Sequence, residues 1–177
     1  MSAVGSPRRE RVVAATRTLS GLVLAAIIGG AAMGVAWLLL TPPISYKVRR
    51  GGAFPEASAQ ERWFSADGWF LVLGLVLGIA LGVIAWWWGR GQPLGALLGL
   101  TVGGLLAAFT AWWLRGVLGP SDPADLVATA AVGARLEYAL GLRAMAVLLA
   151  PPVAGLLTFM VIAAAAPPQE VDDTLVP

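Results

Sequence analysis

The chain has 177 residues, 58% of them hydrophobic and 12% charged, with a formal net charge of +2. A charged share about half the soluble average of roughly 25% excludes a single soluble domain of this size, which would expose too much apolar surface. The absence of cysteine and histidine excludes thiol chemistry, disulfides, imidazole catalysis, haem ligation through histidine and the usual zinc sites, so neither cofactor nor metal is expected.

The mean hydropathy of +0.79 points to a bilayer as the solvent. The basic residues are dispersed, which suits membrane anchors and not a nucleic-acid surface. Residues 1–18 read as a polar basic tail, with Arg8, Arg9, Arg11 and Arg17 against Glu10. Glu10-Arg11 follows Arg8-Arg9 where a twin-arginine signal would carry an apolar pair. The apolar run 19–40 is longer than the ~7–15 residues of a signal-peptide core, and it ends at Pro42-Pro43 without a small-x-small site. It reads as a retained first span, with Gly30 and Gly34 as a close-packing stripe.

Residues 41–66 have no sustained period. They predict an irregular loop ending in a short interfacial helix, with Trp63 and Phe64 at headgroup level. Asp67 is expected to cap the start of the second span, 69–88. The third span is 94–114. Gly74, Gly78 and Gly82 stripe the second span, and Gly95, Gly99 and Gly103 the third. Glycines four apart let backbones approach, and the turn at 89–93 is too short for anything but an antiparallel hairpin. A central glycine-striped hairpin of spans two and three is the expected organising contact. Trp86, Trp87 and Trp88 predict one aromatic belt. Trp112 and Trp113, joined by Trp37, Trp63 and Trp69, predict the other.

The second connection, 115–143, holds Asp122-Pro123-Ala124-Asp125, a helix start, and Gly141, a plausible stop. A short surface helix is expected before span four, with Arg135 and Glu137 late in it. Span four is 144–166. Pro151 and Pro152 fall inside it and predict a kink. Residues 167–177 form an acidic tail. The fold class is thus an all-α integral membrane four-helix bundle, residues 19–166. Four upstream arginines favour cytoplasmic termini in a multi-pass cell-membrane protein.

No acidic or basic residue lies deep in a span. The deepest polar groups are Ser20, Thr101, Thr110 and Thr158, hydroxyls of the kind that bond their own helix. The glycines lack the lysine and strand context of a phosphate loop. The candidate functional surface is a juxtamembrane polar patch of Asp67, Arg115, Arg135, Glu137 and Arg143. It reads either as anchoring with local ion pairs or as a headgroup or partner site, since arginine suits phosphate and carboxylate.

Ala66-Asp67-Gly68-Trp69-Phe70, Leu118-Gly119-Pro120, and Leu142-Arg143-Ala144 before a proline-containing last span give the chain a resemblance. It resembles a family of small four-span actinobacterial integral membrane proteins of unknown function, across most of 19–166. The resemblance implies a fold and an envelope setting, and no activity.

Three functions are weighed. The first is a non-enzymatic structural or accessory subunit docking onto a cell-envelope assembly, with the bilayer and a membrane-protein partner or a second copy as its contacts. The alternative is a small oligomeric channel or transporter for an uncharged solute, gated at the proline kink. The third, an enzyme on lipid-linked substrates with Asp67 or Glu137 as base, lacks paired carboxylates.

Overall fold

The computed structural model describes residues 7–41, 44–49, 52–55, 59–118, 135–138, 142 and 144–166. Four helices carry the fold: α1 (Pro7–Leu40), α2 (Ala59–Gly89), α3 (Pro93–Leu118) and α4 (Ala150–Ala165). The last is entered through a 3-10 turn at Met145–Leu149. Counting that turn with α4, all four are long and apolar enough to cross a membrane. Helices suit such runs because they satisfy backbone polar groups within themselves.

Two helices start earlier than the apolar runs predict. α1 takes in residues 7–18, expected as a tail, and α2 takes in 59–66, expected as loop and separate helix. No glycine or proline interrupts 8–20 or 59–67. Extending an existing helix fixes one residue per hydrogen bond, which costs far less than a new nucleus.

The connections correct the sequence reading. β1 (Ile44–Arg49), β2 (Gly52–Pro55) and β3 (Arg135–Tyr138) form an antiparallel sheet in the order β2-β1-β3. The first connection is therefore not an irregular loop. Ile44, Tyr46 and Val48 alternate with Ser45, Lys47 and Arg49, the two-residue period of a strand. The expected surface helix is a strand at Arg135–Tyr138, where apolar and charged residues also alternate. Its earlier part, 126–134, lies outside the described residues, as does the acidic tail at 167–177. The all-α description holds for the four long helices, with this small sheet added at one end.

α2 and α3 are joined by a short turn in which the Gln92 N–H donates to Gly89 O at 2.9 Å. Their glycine stripes do not face one another. Gly74, Gly78 and Gly82 lie against α4: a methyl on Gly82 would meet Gly155 O at 2.6 Å, and one on Gly78 would meet Pro151 O and Ala154 Cβ. Gly95, Gly99 and Gly103 lie against α1, facing Ala15, Leu22 and Ala26. Gly30 and Gly34 of α1 return the contact on Ala107 and Ala111 of α3. A three-residue turn makes two helices antiparallel neighbours, yet it does not decide which face each presents. Small residues on both sides let the backbones come together, so alanine, glycine and proline do the packing.

Pro151 and Pro152 do not interrupt a continuous helix. They stand in the first turn of α4, where their missing N–H groups would have no intrahelical acceptor. Both are buried, Pro151 against Gly74 and Gly78, Pro152 against Gly104.

The core has two parts. Leu22, Leu81, Leu100 and Phe159 pack with Ala26, Ala85, Ala96 and Ala107. Met33, Trp37, Phe70 and Leu142 pack with Ala108 and Ala111. The second part lies at the end of the bundle where α1 and α3 finish, here the sheet end. The 90–92 turn marks the opposite, turn end.

Candidate functional site

Of the five expected patch residues, Arg135 and Glu137 stand in the sheet on β3, and Asp67 and Arg115 lie on the helices at the same end. Asp67 and Arg115 each serve the end of another helix. α1 stops at Leu40; the Thr41 N–H still donates to Trp37 O at 3.1 Å, and the carbonyls at this helix end carry partial negative charge. Arg115, in the last turn of α3, adds its donors to that end with a side chain only 4% exposed. Its Nη1 donates to Trp37 O at 3.3 Å and to the Thr41 hydroxyl, and Nη2 donates to Thr41 O at 3.4 Å. Thr41 turns its own hydroxyl onto Trp37 O at 2.6 Å. The guanidinium carbon lies 4.1 Å from the Trp37 ring centroid, a cation–π contact. Nε finds no acceptor among the described residues. Among the described residues the partners of this cation are neutral oxygens and a ring.

Trp37 corrects the belt reading. It is fully buried, its Nε1–H donates to Ala66 O of α2 at 2.9 Å, and its ring meets Phe70 edge to face at 5.0 Å and 78°. A buried indole needs an acceptor for its one donor, and the α2 backbone supplies it. Trp69, Trp87, Trp88, Trp112 and Trp113 are exposed, as belt residues are. Trp86 is half-buried between Phe159 and Arg90.

Asp67 is not an N-cap of its own helix. α2 starts at Ala59, so the amides after Asp67 already have partners within the helix. Its Oδ2 accepts the N–H of Ala144 at 3.3 Å, the residue that opens the 3-10 turn before α4. The chemistry is that of an N-cap carboxylate, carried out across a helix interface.

Arg135 and Glu137 stand on β3, opposite Lys47 and Ser45 respectively. Arg143 lies outside the described residues. Thr101 and Thr110 donate to Leu97 O and Leu106 O of their own helix. Thr158 packs on Gly82, and Ser20 is exposed on α1. An open groove of about 600 Å³ runs along one face of α1, lined by Arg9, Glu10, Val13, Ala14 and Arg17. Among the described residues no three His, Cys, Asp or Glu side chains gather where a metal ion would fit.

Sequence reasoning missed the parts that Trp37 and Thr41 play. A signal was present for both. Spans one and three both end at the same side of an antiparallel bundle, so an arginine closing one is within reach of carbonyls closing the other.

Comparison of the chain with protein-family models, with curated proteins and with solved structures finds no match.

Proposed function

We propose that the chain is a non-enzymatic, multi-pass integral membrane protein, a structural or accessory subunit that docks onto a cell-envelope assembly. One observation carries this reading: the buried Arg115 guanidinium and Trp37 indole both donate to backbone carbonyls of the protein itself. Arg115 closes α1, and the Trp37 indole serves α2. A bundle so committed offers contact surfaces in place of a reaction site. Four helices of sufficient length and apolarity support insertion. Arg8, Arg9, Arg11 and Arg17 at the turn end support cytoplasmic termini. An actinobacterial envelope is the setting that the resemblance implies.

The glycine stripes give the docking reading no support, because they are used within the chain. Outer helix faces and the polar connections remain for a partner. Pro151 and Pro152 sit in the buried first turn of α4, which gives the channel reading no support. Crosslinking in intact cells followed by purification in gentle detergent tests the proposal. A stoichiometric partner is expected, and a lone monomer after crosslinking sinks the reading.

A further inference from the structure

Arg9, Val13 and Arg17 recur every four residues and so form one stripe of α1, with Glu10 and Ala14 as the next. Together they line the open groove of about 600 Å³. Arg9, Glu10, Val13 and Arg17 are exposed, and Ala14 is half-buried. Two arginines against one carboxylate leave the groove basic over an apolar floor. Arg8 and Arg11 are exposed on the same helix but do not line it.

Contacts with the α2–α3 hairpin set the depth of this groove. A methyl on Gly21 would meet the Trp88 ring at 3.4 Å, one on Gly89 would meet Thr18 at 3.5 Å, and one on Gly95 would meet Ala15 O at 2.8 Å. Gly21 is therefore level with Trp88, an exposed indole at the turn end. In a bilayer such indoles sit at the interface. Arg17 lies four residues outward of Gly21, about 6 Å along the axis. The polar layer outside the hydrocarbon is about 6 Å deep on each side, so Arg17 stands where lipid phosphates lie. Arg9 is about 12 Å further out, on the aqueous side. The groove thus opens above Trp88 and runs outward through the phosphate layer.

We propose that this groove binds an anionic phospholipid of the surrounding bilayer, its phosphate on Arg17, its acyl chain beside Trp88 and its headgroup toward Arg9. Arginine's planar fork matches a phosphate, and each basic residue near an anionic surface adds attraction that salt screens. A phospholipid brings a phosphate at fixed depth with an apolar chain directly beneath it, which is the order in which Arg17 and Trp88 stand. An acidic protein segment would meet the arginines and leave the Trp88 side unused. The inference rests on the helices being membrane spans, and retention in vesicles through an alkaline wash tests that separately.

The experiment uses the full chain purified in a neutral detergent and given equal phosphatidylglycerol and phosphatidylcholine, with retained lipid counted by native mass spectrometry. Phosphatidylglycerol is expected to be retained at least threefold over phosphatidylcholine, and R9Q/R17Q to retain the two equally. R8Q/R11Q removes the same charge from the same helix outside the lining, and is expected to keep the preference. Glu10→Gln guards against a folding artefact: it takes the one acid out of the lining, so the preference is expected to rise. Equal retention in the unaltered protein, an undiminished preference in R9Q/R17Q, or a lower one in Glu10→Gln would each overturn the proposal. Equal losses in R9Q/R17Q and R8Q/R11Q would overturn it by reducing the effect to net charge. Displacement of the lipid by glycerophosphate would overturn it in favour of a free phosphate ligand, and displacement by polyglutamate at equal charge in favour of an acidic protein segment.

Discussion

Arg115 and Trp37 meet twice. The guanidinium carbon lies 4.1 Å from the indole centroid, and Nη1 of the same arginine donates to the backbone carbonyl of the same tryptophan at 3.3 Å. One side chain thus holds both the ring and the helix end of its partner. The indole in turn reaches α2 through Ala66. Three helices are joined through two residues.

Arg115→Lys is expected to lower stability in detergent by about 1–3 kcal/mol, the usual effect of breaking buried hydrogen bonds to a charged group. A lysine offers a point charge without the planar fork or the ring stacking. Thr41→Val is expected to lose less, because Arg115 keeps the two carbonyls. Thermal unfolding followed by tryptophan fluorescence separates the two; equal loss would remove the helix-closing role from the guanidinium.

Glycine positions divide into two kinds. A methyl on Gly78 or Gly82 runs into α4, whereas one on Gly68 or Gly116 meets nothing within 4 Å. Gly78→Ala and Gly82→Ala are expected to destabilise by roughly 1–3 kcal/mol through overpacking. Gly116→Ala is expected to be neutral or to add up to ~1 kcal/mol through helix propensity. Unfolding midpoints of these variants are the measurement, and a stabilised Gly82→Ala would contradict the α2–α4 contact.

The lack of native cysteine makes pairing directly testable. A Cβ on Gly103 would stand 3.0 Å from Ala26 Cβ, close to the ~3.5–4.5 Å that a disulfide needs. An A26C/G103C variant is expected to crosslink on mild oxidation, and G78C/G99C is not. The reverse pattern would restore the α2–α3 stripe contact that the sequence suggested.

Asp67→Asn keeps an acceptor for the Ala144 amide and removes the charge, whereas Asp67→Ala removes both. Asp67→Ala is expected to cost ~1 kcal/mol or more and to speed proteolysis in the 119–143 connection. Asp67→Asn is expected to lie between it and the unaltered protein. Identical cleavage in all three would mean that the carboxylate does not secure the start of the last span.

Much of this was legible in the sequence, and the gaps have physical causes. The apolar runs marked all four helices because length and hydropathy alone decide whether a segment needs internal hydrogen bonding. The stripes marked faces of close approach, but a row of glycines carries no information about which helix it meets. Asp67 was recognised as a carboxylate for backbone amides, while the amide it serves, at Ala144, is far along the chain. The first strand is readable, since Ile44-Ser45-Tyr46-Lys47-Val48-Arg49 alternates cleanly, but six residues between two long apolar runs repeat the period too few times to separate strand from loop. Trp37 looked like its exposed counterparts because composition does not distinguish an indole at the surface from one spent on a buried carbonyl.

The two glycine stripes of α2 and α3 meet helices that are not their hairpin partner, Gly95, Gly99 and Gly103 meeting α1 and Gly74, Gly78 and Gly82 meeting α4. During synthesis α1 must wait for α3, and α2 keeps its stripe uncovered until α4 has been made. Pro151, Ala154 and Gly155 cover that stripe. A message cut short before them would yield three helices and one bare, small-residue face, open to any neighbouring helix. Termination before Pro151 thus leaves a surface that proteases can read as an unfinished protein.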